Sequence, residues 1–166
     1  PAIFEKAIGH SKDYPPAVRA LVMNGKGTGE IFEELAIQDI QLASDVLLPV
    51  YEQTKRKDGY VSLEVSPHLA NDTDTTISEA LRLWKRVGRE NLMIKVPATP
   101  EGIPAIERLI SEGINVNVTL LFAVDAYEAV AEAHLRGLEA LAAKGGDVSK
   151  VASVASFFVS RIDTLI

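Results

Sequence analysis

Four short and almost wholly apolar runs recur along this chain, with amphipathic stretches of about 10–20 residues between them. The runs are Tyr60–Val65, Leu92–Val96, Asn115–Leu121 and Val151–Val159. Strands that alternate with helices are joined by crossovers, so they lie parallel in one sheet. The helices cover both faces of such a sheet, which is why its strands should be apolar throughout. The punctuation agrees. Thr28 is predicted to cap a helix whose apolar face is Ile31, Phe32, Leu35 and Ala36, with Glu30 set against the dipole. Helical spacing resumes near Asp45, and Pro49 is expected to kink or interrupt it. Asp58-Gly59 turns into the first strand, and Ser66-Pro67 stops it. Asp72 to Val87 places Ile77, Ala80, Leu81 and Trp84 on one helical face. Pro97 closes the second strand, and the helix after it buries Ile106, Leu109 and Ile110 before Gly113. The last long helix is expected to bury Tyr127, Val130, Ala131, Leu138 and Leu141, and to end at Gly145-Gly146. No repeat, low-complexity segment or linker divides the chain, so residues 1–166 read as one α/β domain.

Against apolar strands, the polar exceptions carry information. Lys95 lies in Met93-Ile94-Lys95-Val96-Pro97, and Glu64 lies in Leu63-Glu64-Val65-Ser66-Pro67. Each is a lone charge placed just before its strand ends, on consecutive strands. Burying an unpaired charge costs several kcal/mol, so two readings remain: a Lys–Glu pair that fixes register, or a reactive site. C-terminal strand ends are where parallel α/β folds and barrels keep their chemistry. In an apolar setting desolvation disfavours the ammonium form, and a neutral amine attacks a carbonyl to give a Schiff base. Glu64 nearby is placed to move protons through a water. In the third strand Asn115, Asn117 and Thr119 recur at period two and share a face. Such a stripe needs partners, which the hydroxyls of a substrate or bound water would supply. The fourth strand adds Ser153, Ser156, Ser160 and Arg161. Arg161 either forks onto a phosphate or pairs with a neighbouring carboxylate such as Asp163.

Composition removes several classes of function. A formal net charge of −6 argues against electrostatic binding of nucleic acid. Lys55-Arg56-Lys57 is followed at once by Asp58 and reads as a solvated helix end. The chain has no cysteine, so disulfides and thiolate zinc sites are excluded. No apolar run approaches the roughly 20 residues that cross a bilayer, and no signal-like segment opens the chain. A cytoplasmic setting without a membrane partner is the expectation. Asn24-Gly25-Lys26-Gly27-Thr28-Gly29 has neither Walker spacing nor a preceding strand, and reads as a flexible lead-in to a helix. His10, His68 and His134 share no metal-ligand spacing. His68, after a strand end, suits at most a site rim, and Trp84 belongs to the core face of its helix. The chain starts at Pro1 and stops at Ile166 without polar tapering, so a domain truncated at both ends is expected.

Three motifs carry a family resemblance: Met93-Ile94-Lys95-Val96-Pro97-Ala98-Thr99, then Gly113-Ile114-Asn115-Val116-Asn117-Val118-Thr119-Leu120-Leu121-Phe122, then Ala155-Ser156-Phe157-Phe158-Val159-Ser160-Arg161. In this order and spacing they resemble the transaldolase family over essentially all 166 residues. The opening run Pro1–Ile8 and the segment Asp58–Pro67 look most like its longer bacterial branch. The resemblance implies a (β/α)8 TIM barrel that moves a dihydroxyacetone unit between sugar phosphates in the pentose phosphate pathway. It implies Lys95 as the Schiff-base lysine, Glu64 as the glutamate handling the catalytic water, and Thr119 as the threonine holding that water. Asn117 and Ser156 match substrate-contacting residues, and Arg161 matches the phosphate-binding arginine. No metal or organic cofactor is implied. Four strands correspond to the third through sixth of the barrel. The family's first-strand aspartate and second-strand asparagine have no counterpart among these residues.

Two rivals stay open. A fructose-6-phosphate aldolase shares the barrel and the lysine but releases free dihydroxyacetone. A non-catalytic half-barrel would instead self-associate through its open sheet edges.

Overall fold

The apolar runs form a single sheet, as their alternation with helices requires. In the computed structural model, which describes residues 2–164, the strands are β1 (Val61–Glu64), β2 (Leu92–Pro97), β3 (Val116–Leu121) and β4 (Ser153–Phe157). They pair in parallel in the order β1-β2-β3-β4. Helices α1 (Ala2–His10), α2 (Pro15–Met23) and α3 (Thr28–Gln53) precede β1. Helices α4 (Thr73–Val87), α5 (Gly102–Ser111) and α6 (Val124–Ala143) form the three crossovers, and the short α7 (Val159–Asp163) follows β4. Sequential order with no reversal is the winding of a barrel; a doubly wound sheet reverses at a switch point. The fold is a partial TIM barrel.

Strand parity separates two faces. Leu63, Val65, Leu92, Ile94, Val96, Val116 and Val118 point outward and are buried with Leu83, Val87, Ile106, Leu109, Ile110 and Val130 of the helix layer. Each such side chain contributes roughly 1.5–3 kcal/mol by leaving water. The opposite parity gives the inner face, which carries Ser62, Glu64, Met93, Lys95, Asn117 and Ser156.

The local signals mostly act where the sequence puts them. Asp72 caps α4 by accepting from the Thr75 amide at 3.0 Å, and Gly88 ends it in the left-handed conformation at φ 60°. Gly113 turns the chain after α5 at φ 79°. The glycine-rich run from Asn24 leads from α2 into α3 with no strand before it. Trp84 packs half-buried against the core.

Four expectations need correction. Thr28 is the first residue of α3 and Gly27 is the cap; the Glu30 carboxylate accepts from the Gly27 amide at 2.9 Å. Pro49 does not interrupt α3, which continues to Gln53. It lies on the exposed side one turn from the helix end, and Asp45, whose carbonyl its missing N–H would have met, is exposed as well. In α4 the buried stripe is Thr76, Ala80, Leu83 and Val87, which leaves Leu81 exposed. Thr76 tolerates burial because its hydroxyl donates to the Leu69 carbonyl at 2.9 Å. Phe32 and Tyr127 are also exposed, Phe32 in a T-shaped contact with Phe4 and Tyr127 tilted against Phe157.

Candidate active site

β1 and β2 are in a register that sets Glu64 beside Lys95. The two head groups face each other, Nζ to Oε2, at 3.7 Å. Both side chains are partly open, at 27% and 29% exposure, so solvent or a ligand reaches the pair. The separation exceeds a direct hydrogen bond and leaves the pair free to work through one water. The apolar surroundings expected for Lys95 are not found. Its strand neighbour across β3 is Asn117, and hydroxyl groups line the same face.

Asn117 is held from both sides. Its Nδ2 donates to Ser62 Oγ of β1 at 3.0 Å, and its Oδ1 accepts from Ser156 Oγ of β4 at 2.8 Å. Thr119, in register with Pro97, is fully buried, and its hydroxyl has no hydrogen-bond partner among the described residues. One position further, Leu120 adopts φ 60°, and the β3–β4 register shifts between Val118 and Leu121. A leucine in that region costs roughly 1–2 kcal/mol. Bulges of this kind re-aim side chains beside functional sites.

Two members of the polar set serve the framework instead. Asn115 donates to the carbonyls of Glu90 and Leu92, both at 3.0 Å, and its Oδ1 accepts from the Ala152 amide at 2.8 Å. It ties the beginnings of β2, β3 and β4 together, with both N–H donors taken and the side chain buried away from any ligand. Ser153 donates to the Val116 carbonyl at 3.0 Å. The stripe read from period two therefore splits by depth: its lower end is structural, and its upper end faces Lys95.

Arg161 lies on α7 beyond the strand ends and is exposed. Its guanidinium sits 4.5 Å from the centroid of the Phe158 ring, and Phe158 stacks on Phe122 at 5.6 Å. No ion pair to Asp163 forms among the described residues, so the guanidinium edge stays open to an anion. Ser160, also exposed, makes no hydrogen bond to this group among the described residues. No cluster of His, Asp and Glu able to hold a metal occurs among them either. His134 sits half-buried on α6, and burial holds its imidazole below the ordinary histidine value.

Ser62 is the site residue that sequence reading missed. The signal was present, because Ser62 and Glu64 alternate on β1 as Met93 and Lys95 do on β2.

Parallel βα units that bring a lysine and a carboxylate together at their C-terminal strand ends define the lysine-bearing α/β barrels. Residues 1–166 match the family described as Transaldolase/Fructose-6-phosphate aldolase, and the chain belongs to that family. It is similar to a transaldolase of Trichodesmium erythraeum, 58% identical over 99% of this chain and 43% of that protein. It is also similar to transaldolase 2 of Nostoc punctiforme, at 54% identity over 99% of this chain and 43% of that protein. A transaldolase of Saccharopolyspora erythraea is 51% identical over 99% of this chain and 44% of that protein. The chain thus spans less than half the length of these curated relatives.

Proposed function

We propose that this chain carries the Schiff-base lysine of a transaldolase, which moves a dihydroxyacetone unit between sugar phosphates. The reaction converts sedoheptulose 7-phosphate and glyceraldehyde 3-phosphate to erythrose 4-phosphate and fructose 6-phosphate, in the cytoplasmic pentose phosphate pathway. The observation that carries this reading is the Lys95–Glu64 pair, 3.7 Å apart at the strand ends on the inner face.

The Lys95 amine attacks the ketose carbonyl, forming a C–N bond and then losing water to leave the imine. Glu64 is the acid–base group in reach, and it passes the protons that carbinolamine formation and dehydration require. The buried Thr119 hydroxyl, with no protein partner, is suited to hold the water that links them. Cleavage of the C3–C4 bond, one bond beyond the imine carbon, frees an aldose phosphate and leaves an enamine on Lys95. The enamine adds to the acceptor aldehyde, and hydrolysis releases the new ketose. Asn117 and Ser156 bind the sugar hydroxyls, and Arg161 binds the phosphate. The base that takes the proton from the hydroxyl at the cleaved bond is the family's first-strand aspartate, which lies outside these residues.

The family also includes aldolases, so the decisive comparison is transfer against release. The full-length protein given sedoheptulose 7-phosphate with glyceraldehyde 3-phosphate should yield fructose 6-phosphate, and little free dihydroxyacetone without the acceptor. Equal release of dihydroxyacetone in the absence of acceptor would establish the aldolase reading instead.

A further inference from the structure

We infer that Ser62 is a positioning residue for the proposed reaction, acting through Asn117. The inference rests on the Schiff-base reading of Lys95 and adds a residue to which that reading assigns no role.

The strand register carries the argument. Ser62 is level with Met93, whereas Asn117 is level with Lys95. A hydrogen bond from Asn117 to Ser62 therefore crosses the inner face of β2 between Met93 and Lys95, beneath the reactive amine. With Ser156 bound to its other end, the Asn117 amide is clamped across β1, β3 and β4. An amide held at both ends cannot rotate about its last torsion, so its plane is fixed. It uses one of two N–H donors and one of two oxygen lone pairs in the clamp. The remaining N–H and lone pair are free for the oxygens of a sugar bound at Lys95. Removing Ser62 leaves Asn117 held at one end only. The amide then swings over the broad torsional well of an sp² group, and a preorganised contact becomes an averaged one. Ser62 itself need not touch the substrate.

The test uses full-length protein and four variants: Ser62→Ala, Ser62→Thr, Asn117→Ala and the double variant Ser62→Ala/Asn117→Ala. One neutral hydrogen bond lost from the clamp should lower kcat/KM about three- to tenfold in Ser62→Ala. Threonine keeps the hydroxyl at the same position, so Ser62→Thr should recover most of that loss. Adding Ser62→Ala to Asn117→Ala should cost nothing further, because Ser62 acts through the amide that has already gone. An undiminished kcat/KM in Ser62→Ala, or a full additional loss in the double variant, would overturn the proposal. Borohydride trapping with a ketose phosphate should proceed in Ser62→Ala as in the parent; failure of trapping in the parent would count against the Schiff-base reading alone. In that event the side-chain amide resonance of Asn117, assigned by its loss in Asn117→Ala, still decides. It should shift and exchange faster in Ser62→Ala but not in Ser62→Thr, and an unchanged resonance in Ser62→Ala would refute the clamp.

Discussion

Lys95 and Glu64 stand together because two strands of four and six residues are paired in the one register that makes them neighbours. A one-residue slip of either strand would send its charge into the helix layer and part the pair. The side chains around them set distinct expectations. Glu64→Gln keeps the shape but removes the acid–base group, so transfer should slow by roughly 10²–10⁴-fold while a trapped adduct still forms, more slowly. Single-turnover trapping beside steady-state transfer separates the two. Arg161→Ala should weaken phosphorylated ketoses by roughly 1.5–3 kcal/mol and leave unphosphorylated ones nearly unchanged. Equal losses for both would assign Arg161 to the Phe158 stack alone. At this scale the inward placement of Glu64, Lys95, Asn117 and Ser156 was legible, because polar residues in apolar strands are expensive and few; Arg161, read as an extension of the fourth strand, lies on α7 instead. Asn115 looked the same in sequence as Asn117. Only coordinates show that its three hydrogen bonds all go to the backbone.

Between elements, the helix layer is fastened by charge and by close approach. Arg82 of α4 forks onto Glu33 of α3 with two 2.6 Å contacts and also binds Glu79, while Arg86 reaches Glu33 and Glu34. The hydrogen bond from Arg82 holds the Glu33 carboxyl below its ordinary value of 4.5, with the charges of both arginines adding to the effect. A depressed carboxyl stabilises the fold above the unfolded-state pKa, and that stability is lost as pH falls through the lower folded value. Arg82→Ala should therefore destabilise the protein at neutral pH and flatten its acid limb below pH 4.5, read from denaturant midpoints across that range. A parallel displacement of the whole curve would mean that Glu33 is not the linked group. On the other side of the layer, a Cβ on Gly137 would meet the Glu107 carbonyl and the Ile110 Cβ, both at 2.8 Å. Gly137→Ala should push α6 off α5 and cost roughly 1–3 kcal/mol in the same measurement. Element type was readable wherever periodicity was strong. Faces were less so: Phe32, Leu81 and Tyr127 have the right spacing for burial, but what covers a helix is decided by elements distant in sequence. The inter-helix ion pairs were invisible for the same reason, since Glu33 and Arg82 are 49 positions apart.

As a whole, the chain presents a sheet with two unpaired edges, β1 and β4, among the described residues. Leu42 and Val46, one turn apart on α3, are 65% and 75% exposed. A largely apolar cavity of about 450 Å³ opens on the helix side of β1, lined by Phe4, Phe32, Ala36, Leu63 and Leu83 among others. It takes in Glu64 but not Lys95, and so belongs to packing and not to the proposed chemistry. Open edges and contiguous apolar surface favour association. A polypeptide of these 166 residues alone should sediment as more than a monomer, whereas a stable monomer would show that the open edges and the exposed Leu42 and Val46 are adequately protected. The relatives are more than twice as long, and the proposed activity concerns the protein at that length. Its central claim is that Lys95 is the amine that takes the ketose. The direct measurement is borohydride reduction of the full-length protein with fructose 6-phosphate, followed by peptide mass mapping. The adduct should sit on Lys95 and be absent from both Lys95→Ala and Lys95→Arg, because a guanidinium stays protonated and forms no imine. An adduct on another lysine, or one that persists in either variant, would contradict the account.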